Sequence, residues 1–321
     1  MFFEKQIAEI YRARLYARAD DVGAVLYFSA EDFPGLCCRP YPFPAEGGHT
    51  LAGFLYDYGD PIEGRIVIFD HGMGGGHRSY MKEIEMLARH GYRVFAYDHT
   101  GCMASEGEST GGFGQSLSDL SAALTALKGD EEFRSMTFSV VGHSWGGFAA
   151  MNIPAIHPDV AHVIAISGFR SIEAIVRQTF SGLLSLYRRA ILAIEAAAHP
   201  DLLAYDAATS LCQSEARALI IHSEDDPVVH AKKHFEPLRR ALSFRENISF
   251  LSVTGRGHNP NYTADAIAYK DDFFKKLKKR ISKGGLADPE GHRAFLDAFD
   301  WHRMTAQDDA VWEEIFKTLD L

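Results

Sequence analysis

One serine in this sequence lies in a setting that could make it a nucleophile. Ser144 is the centre of the segment Gly142–Gly146 (GHSWG), which follows the apolar run 137–141 and opens a helical pattern. A strand that feeds a helix through such a tight turn exposes the serine hydroxyl at the carboxyl edge of a sheet. The flanking glycines leave room for the turn because they lack a Cβ atom. The alternative is that Ser144 only caps the helix that follows it.

A serine alcohol is a poor nucleophile at neutral pH, so it needs a base, and that base needs an orienting carboxylate. Asp226 and His258 are the candidates, since each follows a different apolar run. Asp226 lies 82 residues after Ser144, and His258 lies 32 residues after Asp226, which leaves room for the elements between them. His258 would take the serine proton and return it to the leaving group, while Asp226 would hold the imidazole tautomer. Asp225 and Glu224 remain alternatives to Asp226.

A glycine-rich loop, His71–Gly76, follows the apolar run 66–69 and precedes a helical pattern. Its backbone N–H groups would reach the same sheet edge as Ser144, where they could stabilise the oxyanion of a tetrahedral intermediate. We expect the amides of Met73 and Trp145 to be the two donors. Four further residues support these turns: His71, Gly72, Gly142 and Gly146. A phosphate-binding role is disfavoured because the loop lacks the Lys-Ser/Thr pair and the glycine spacing of nucleotide-binding loops.

Short apolar runs that alternate with helical patterns must position these residues. Strands that are hydrophobic on both faces are typical of a parallel sheet covered by helices on each side. The sequence therefore predicts an α/β protein with a doubly wound, mostly parallel sheet. The predicted strands are 66–69, 93–97, 137–141, 163–167, 218–222 and 248–253, and the predicted helices are 80–89, 116–127, 145–157, 228–242 and 264–281. Thr50–Tyr58 also favours a strand, which we expect to be exposed or at the sheet edge.

Three segments fall outside this alternation. Residues 170–215 are helical in pattern without a strand, which we interpret as a small helical cap inserted after the sixth strand. Two ordinary crossover helices are the alternative. The other divisions are a core of 33–169 and 216–282, an N-terminal helical extension of 1–32 and a C-terminal helical extension of 283–321, packing on the core or a partner. In the last segment, Thr305 and Asp308 resemble a capping box ahead of a final helix.

The composition of the 321-residue chain excludes several classes of protein. It is 46% hydrophobic and 24% charged, which is typical of a folded globular protein and excludes a disordered one. Its net charge of −10 argues against nucleic-acid binding, because such proteins are usually basic. The sequence has neither a signal-like apolar run nor a membrane-length apolar segment. The four cysteines form no CxxC pair, so a reduced, cytoplasmic location fits best.

No cofactor or metal is expected. His230 and His234 share one helical face, as metal ligands can, but no third ligand accompanies them at a defined spacing. A solvated helix face is the better interpretation of this pair.

Taken together, these motifs resemble the α/β-hydrolase superfamily, in particular its lysophospholipase, carboxylesterase and serine-aminopeptidase branch. The resemblance covers about residues 50–282 and lies in the glycine loop, the GHSWG elbow, the D-x-P-V turn and the GRGH turn. It implies the α/β-hydrolase fold, and it favours Asp226 as the acid because the family's acid often precedes a proline, here Pro227. Thr100 and Met103 depart from the family, since they stand where an arginine and a glycine are usual.

These residues predict a serine hydrolase that works through an acyl-enzyme intermediate. The expected substrate is a carboxylic ester with a small or apolar acyl or aryl group, because small-molecule pockets are mostly apolar. Alternatives within the fold are amide or peptide, thioester and carbon–carbon bond hydrolysis, or a ligand-binding protein without catalysis. The expected partner is a small-molecule substrate, with neither nucleic acid nor a membrane span. The terminal helices or the cap could also form a homodimer interface.

Overall fold

The computed structural model of the chain describes residues 2–20 and 28–321, and its centre is an eight-stranded sheet. The strands in chain order are β1 Cys37–Pro40, β2 Gly53–Asp57, β3 Arg65–Asp70, β4 Arg93–Tyr97, β5 Thr137–His143, β6 His162–Ile166, β7 Arg217–Ser223 and β8 Ile248–Val253. Their order across the sheet is β1-β2-β4-β3-β5-β6-β7-β8. β2 is antiparallel to β1 and β4, and the remaining neighbours are parallel. The predicted mostly parallel sheet is therefore confirmed.

Helices cover both faces of this sheet. They are α1 Phe2–Leu15, α2 Met81–Arg89, α3 Gln115–Gly129, α4 Trp145–Asn152, α5 Ile172–Thr179, α6 Arg188–Ala198, α7 Ala207–Cys212, α8 Phe235–Leu242, α9 Ala264–Ser282, α10 Pro289–Asp297, α11 Trp301–Met304 and α12 Asp309–Leu319. Successive side chains of β3 point to opposite faces of the sheet, as they do in any β-strand. Ile66 and Ile68 pack with α3, α4, α7 and α8, whereas Val67 and Phe69 pack with α2 and α12. The doubly wound arrangement is thus confirmed.

The sheet edge differs from the sequence prediction. The predicted strand Thr50–Tyr58 divides into a short strand, Thr50–Leu51, and β2. β2 is an inner strand, because β1 covers its outer side. The edge position of the predicted strand is therefore wrong, and the proline-containing strand β1 takes that place. Pro40 ends β1, where its missing N–H costs no inner ladder bond.

The segment between β6 and β7 is helical. It contains α5, a 3₁₀ helix at Gly182–Tyr187, α6 and α7. Ile175 and Val176 of α5 are buried, whereas the 3₁₀ helix exposes Leu183 and Leu186. α7 packs against α4 and α8 of the core layer, while α6 packs against both α5 and the 3₁₀ helix. β6 is the sixth strand of the large sheet, so this segment follows the strand after which the insertion is predicted.

The N-terminal helix α1 is held to α6 by a buried carboxylate. The hydroxyls of Tyr11 and Tyr16 donate to Oε1 of Glu195 at 2.7 and 2.9 Å. The amide of Phe113 donates to Oε2 of the same residue at 2.8 Å. Within the predicted extension 1–32, Met1 and 21–27 lie outside the described residues. Glu195 therefore joins the N-terminal helix, α6 and the loop before α3.

The C-terminal helix α12 covers one face of the sheet. It packs against β6 and β7 and buries Trp312, Ile315 and Leu319. α10 and α11 form a separate apolar cluster with α9. Residues 283–321 thus include a helix that belongs to the core of the domain.

The start of α12 differs from its sequence prediction. Asp308 is the N-cap residue, and its side chain accepts from the amide of Ala310. Thr305 instead donates from Oγ1 to the Trp301 carbonyl oxygen at 2.8 Å. The predicted capping box is therefore wrong, because Thr305 belongs to the end of α11. Among the helices of residues 2–20 and 28–321, none is both long and apolar enough to cross a bilayer.

Candidate active site

The turn from β5 to α4 carries Ser144. The serine has φ +56° and ψ −107°, a strained conformation of the kind that clusters at functional sites. A Cβ atom on Gly142 would lie 2.2 Å from the carbonyl oxygen of Gly146. One on Gly146 would lie 2.1 Å from the carbonyl oxygen of Asp70. Both flanking positions therefore require glycine, and the serine lies at a strand–turn–helix junction.

The structure brings Ser144, His258 and Asp226 into hydrogen-bonding contact. Ser144 Oγ is 2.9 Å from His258 Nε2, and His258 Nδ1 is 2.8 Å from Asp226 Oδ2. An ionised carboxylate only accepts, so Nδ1 carries a proton and Nε2 is free to accept the serine proton. Burial opposes ionisation of Asp226, but the hydrogen bond and charge of His258 hold its pKa below the ordinary value. This arrangement can turn an alcohol into a nucleophile.

The turn after β7 orients Asp226. Its Oδ1 accepts from the amides of Val228 and Val229 at 2.8 and 3.0 Å, so both carboxylate oxygens are held. The predicted helix 228–242 is wrong at its start, since α8 begins only at Phe235. The amides of Val228 and Val229 bind the Asp226 side chain, and the chain from there to α8 forms bends and turns.

Asp225, the alternative acid, anchors the loop that carries the imidazole. It accepts from the Ser223 hydroxyl at 2.5 Å. It also accepts from the amides of Gly255 and Gly257 at 2.9 and 3.3 Å. Glu224, the other alternative, is exposed. Sequence reasoning misses this anchoring role, because the contacts cross from one strand end to the next and no spacing marks them.

A chain of hydrogen bonds links the glycine loop, the elbow and the base. The amide of Gly72 donates to the Tyr80 hydroxyl oxygen at 3.1 Å, and that hydroxyl lies 2.8 Å from Nδ1 of His143. His143 Nε2 is 2.8 Å from the carbonyl oxygen of His258. A carbonyl oxygen only accepts, so Nε2 of His143 carries the proton and Nδ1 accepts from Tyr80. Burial lowers the pKa of His143 to about 3, which keeps the imidazole neutral.

Sequence reasoning identifies neither Tyr80 nor His143, the two inner members of this chain, as functional. His143 lies inside the elbow motif, and that position was the available signal. Tyr80 carries no such signal, because it is separated from His143 by three elements.

His71 holds the start of the glycine loop. Its Nδ1 donates to the carbonyl oxygen of Gly72 at 2.8 Å, and its Nε2 accepts from the amide of His99 at 3.0 Å. Burial lowers the pKa of His71 to about 3, so the ring is neutral. The residue therefore fastens the loop to the segment after β4.

A buried ionic cluster lies next to His71. His99 Nε2 is 2.5 Å from Asp70 Oδ1, and its Nδ1 is 3.2 Å from Asp119 Oδ2. Burial disfavours the imidazolium, but the charges and hydrogen bonds of the two carboxylates raise the pKa of His99 to about 10. Asp119 also accepts from the amide and hydroxyl of Thr100, at 2.8 and 2.9 Å. Thr100, where the family pattern has arginine, thus bonds to a carboxylate beneath the loop.

Met103, the second departure from the family pattern, has the backbone conformation that glycine favours. Met103 has a φ of +44°, in the left-handed region that favours glycine. In the same loop, Asp98 Oδ1 accepts from the amide and Nδ1 of His77 at 2.8 Å each. The loop is thereby tied to the segment that follows the glycine loop.

The two predicted oxyanion donors come from two separate segments, the glycine loop and the start of α4. Trp145 is the first residue of α4, and amides of the first helical turn have no partner within their helix. Its indole Nε1 donates to the Phe113 carbonyl oxygen at 2.8 Å. Met73 is half-buried in the glycine loop, beside Gly74 with φ +81°. The donor roles of Met73 and Trp145 stay predictions.

Of His230 and His234, which were considered as metal ligands, His234 makes a structural hydrogen bond. His234 is buried, and its Nδ1 accepts from the amide of Arg170 at 3.3 Å. Both histidines precede α8, so the expected solvated helix face is wrong for His234. Within the described ranges, no three His, Cys, Asp or Glu side chains are grouped as a metal site.

Comparison with protein families finds one matching region. The family described as "Serine aminopeptidase, S33" matches residues 61–217. This region includes the glycine loop and Ser144 and ends before Asp226. A putative carbamate hydrolase, RutD of Caulobacter vibrioides, is 28% identical over 147 residues, which are 43% of this chain and 50% of that protein. The chain therefore spans about half the length of the curated relatives that it matches.

Solved structures resemble a larger part of the chain. The Pyrococcus furiosus esterase Pf2001 has a TM-score of 0.59 at 17% identity, with 81% of this chain and 96% of that chain covered. Est1E of Butyrivibrio proteoclasticus, with ferulic acid bound, has a TM-score of 0.55 at 17% identity, with 76% and 98% covered. Identities this low show the fold alone.

The order of the strands, the strained serine between β5 and α4 and these likenesses agree with the resemblance seen in the sequence. The chain has the α/β-hydrolase fold, and residues 61–217 are similar to the serine aminopeptidase family.

Proposed function

We propose that the protein is a serine hydrolase that cleaves a carboxylic ester through an acyl-enzyme. The observation that carries this proposal is the continuous contact from Ser144 Oγ through His258 to Asp226, at 2.9 and 2.8 Å. A purely ligand-binding protein has no need for an alcohol in contact with an imidazole that is itself held by a buried carboxylate. The geometry therefore supports catalysis over binding alone.

The first half of the reaction forms the acyl-enzyme. Ser144 Oγ attacks the ester carbonyl carbon while His258 Nε2 takes the hydroxyl proton, and the carbonyl oxygen becomes an oxyanion. The amides of Met73 and Trp145 would donate to that oxyanion. Asp226 stabilises the imidazolium. When the tetrahedral intermediate collapses, the bond to the alcohol oxygen breaks and His258 gives its proton to the leaving alcohol.

The second half releases the acid. Water attacks the acyl carbon and gives a proton to His258 Nε2. The bond to Ser144 Oγ then breaks, and the proton returns from His258 to the serine. The enzyme is restored, and the net change is the addition of one water across the ester bond.

The cap segment supports an apolar acyl or aryl group as the preferred substrate part. Ile175 and Val176 of α5 join the same apolar cluster as Phe148 and Phe169 behind the elbow, and small-molecule pockets are mostly apolar. A carbon–nitrogen bond is the second candidate, because the matching family is a serine aminopeptidase and the curated relative a putative carbamate hydrolase.

The test compares the wild-type protein with Ser144→Ala on 4-nitrophenyl butyrate and on the matching 4-nitroanilide. We expect ester turnover that is abolished in the variant, together with labelling of the wild-type serine by a fluorophosphonate probe. Faster turnover of the anilide would favour the second candidate. Equal ester turnover by the wild-type protein and the variant, or an unlabelled Ser144, would overturn the assignment.

The four cysteines are free, and Cys37 and Cys38 are exposed. This supports the proposal of a reducing, cytoplasmic location. A homodimer through the terminal helices or the cap remains a proposal that sedimentation of the full chain tests.

A further inference from the structure

A second concave site borders the glycine loop on the side of the C-terminal extension. This cavity holds about 390 Å³ and is lined by Gly72–Gly75, by residues of α9 and by residues of α11. Neither Ser144 nor His258 is among its lining residues. The cavity therefore adjoins the proposed oxyanion loop from outside the contact that links serine, histidine and aspartate.

The walls of the cavity combine apolar surface with positive charge. Phe274 of α9 and Trp301 and Met304 of α11 supply the apolar part. The charged lining residues are Lys270 and Arg78, and no aspartate or glutamate of the described chain lines the cavity. Apolar walls with a few placed polar groups are typical of small-molecule sites.

Lys270 is the better placed of the two cations. Its ammonium has three N–H donors, and among the described residues its hydrogen-bond acceptor is Oδ1 of Asn259, at 2.5 Å. The ammonium also lies 5.2 Å from the ring centre of Tyr262. Neither partner carries a charge. Arg78 differs, because its Nε donates to the Phe28 carbonyl oxygen at 3.1 Å.

Glu83 is the carboxyl whose charge acts most on Lys270, and that charge raises the lysine pKa against the effect of burial. Glu83 is buried, accepts from Asn261 Nδ2 at 3.1 Å, and has a pKa raised by burial. Its ionised form is therefore disfavoured. Burial lowers the pKa of Lys270, and an anion at its ammonium would raise that pKa again.

Lys270 acts electrostatically on the residue that precedes the nucleophile. Its charge contributes to the lowered pKa of His143, after the larger effects of burial and His258. His143 directly precedes Ser144, and Gly72 lines the cavity. A substrate whose carbonyl oxygen faces the glycine loop could therefore extend one end into the cavity.

We propose that this cavity binds a carboxylate at one end of the substrate, with Lys270 as its charge partner and Phe274, Trp301 and Met304 against the connecting carbon chain. The inference rests on the proposed ester hydrolysis and specifies its substrate class, an ester that carries one terminal carboxylate. It also gives α11, in the C-terminal extension, a part in substrate binding.

The test measures kcat/KM of the wild-type protein for three esters. They are 4-nitrophenyl hexanoate, mono-4-nitrophenyl adipate with a carboxylate on the acyl chain, and 4-(hexanoyloxy)benzoate with a carboxylate on the alcohol. We expect one of the two anionic esters to exceed the hexanoate by about tenfold or more, the usual scale of a charge-assisted hydrogen bond. The preferred ester identifies which end of the substrate enters the cavity. A preference for the neutral ester over both would overturn the inference.

Three variants localise the effect. Lys270→Gln should lower kcat/KM about tenfold more for the preferred anionic ester than for the hexanoate, whereas Lys270→Arg should retain most of the preference. Lys279→Gln changes the same net charge on an exposed part of α9 and should have no effect. Equal losses in Lys270→Gln and Lys279→Gln would show a general charge effect and reject the site.

A binding measurement separates this inference from the proposed hydrolysis. Ser144→Ala titrated with adipate, followed by tryptophan fluorescence, should show saturable binding that is lost when Lys270→Gln is added. Absence of binding overturns the inference whether or not the protein hydrolyses esters. Hexanoate turnover without an anionic preference overturns the inference and leaves serine hydrolysis in place.

Discussion

At the scale of single residues, the Tyr80 hydroxyl connects the glycine loop with the elbow. It accepts from the Gly72 amide and donates to Nδ1 of His143. His143 in turn donates to the carbonyl oxygen of His258. The positions of the oxyanion loop and of the base therefore depend on one phenol.

We expect Tyr80→Phe to lower kcat/KM for 4-nitrophenyl butyrate by about tenfold to a hundredfold. The variant leaves a buried amide and a buried ring nitrogen without a partner, each at a cost of about 1–3 kcal/mol. Tyr58→Phe is the matched control, because its hydroxyl donates to Glu85, away from the site. Steady-state kinetics with melting temperatures measured in parallel check the result, and full activity in Tyr80→Phe would contradict the positioning role.

The buried His99 makes stability depend on pH. Its pKa of about 10 lies above the ordinary histidine value near 6.5. Protonated His99 therefore makes its full contribution to the free energy of unfolding below about pH 6.5. That contribution is lost as the pH rises towards 10, by up to about 1.4 kcal/mol per pH unit.

This dependence should disappear in His99→Gln. Urea unfolding at pH 6, 8 and 9.5 is the measurement, and we expect the difference between wild-type protein and variant to be largest at pH 6. A difference that grows towards pH 9.5 would show that His99 is neutral in the folded protein.

The residues that sequence reasoning places at the site share one property. Ser144, Asp226 and His258 each follow a strand end inside a short motif, so each position can be recognised locally. Asp225 and His99 have roles that depend on contacts between separate loops. Asp119 lies 20 residues from His99, and Gly255 lies 30 residues from Asp225. No local pattern records such a distance.

At the scale of elements, the attachment of α1 to α6 rests on the buried carboxylate of Glu195. Two phenols and one amide donate to it. Burial raises the pKa of Glu195, against the effect of these bonds. The N-terminal helix therefore depends on a polar contact as well as on apolar packing.

We expect Glu195→Ala to lower the free energy of unfolding by about 2–3 kcal/mol, because the buried Tyr11 hydroxyl and Phe113 amide lose their acceptor. Amide hydrogen exchange in 5–15 should become faster, since α1 loses its attachment to α6. Glu173→Ala is the control, because the Glu173 side chain is exposed on α5. Among the described contacts, its carboxylate pairs only with Arg177. Unchanged exchange in α1 would show that apolar packing alone holds the helix.

Helices and strands were predictable where the pattern of apolar residues was clear, as for the apolar run of β3 and the helical spacing of α3. The prediction failed where side chains bind backbone groups. Asp226 takes the amides that the predicted helix 228–242 would have used, and Thr305 bonds backward to α11. The edge position of Thr50–Tyr58 failed because β1 is short and contains proline, so its residues alone do not indicate a strand.

At the scale of the whole molecule, the C-terminal extension completes the core. Trp312 is almost fully buried and packs with residues of the central strands. Arg256 of the base loop also pairs with Asp308 at 2.9 Å, at the start of α12. Residues 283–321 therefore support the sheet and the loop that carries His258.

We expect Trp312→Ala to destabilise the protein by about 3–5 kcal/mol, the usual cost of emptying a buried aromatic site. The melting temperature should fall by about 4–8 °C. Leu321→Ala is the control, since that side chain is exposed. A melting temperature within a degree or two of the wild-type value would show that α12 is dispensable for the fold.

The hydrogen bond between Tyr80 and His143 has a consequence for how the sequence can evolve. A relative that replaces Tyr80 by a residue without a hydroxyl leaves the His143 ring nitrogen without a donor, so selection would no longer favour histidine there. The two positions should accordingly be gained and lost together across descendants, although 63 residues separate them. Grafting this elbow into another hydrolase would require the tyrosine to travel with it.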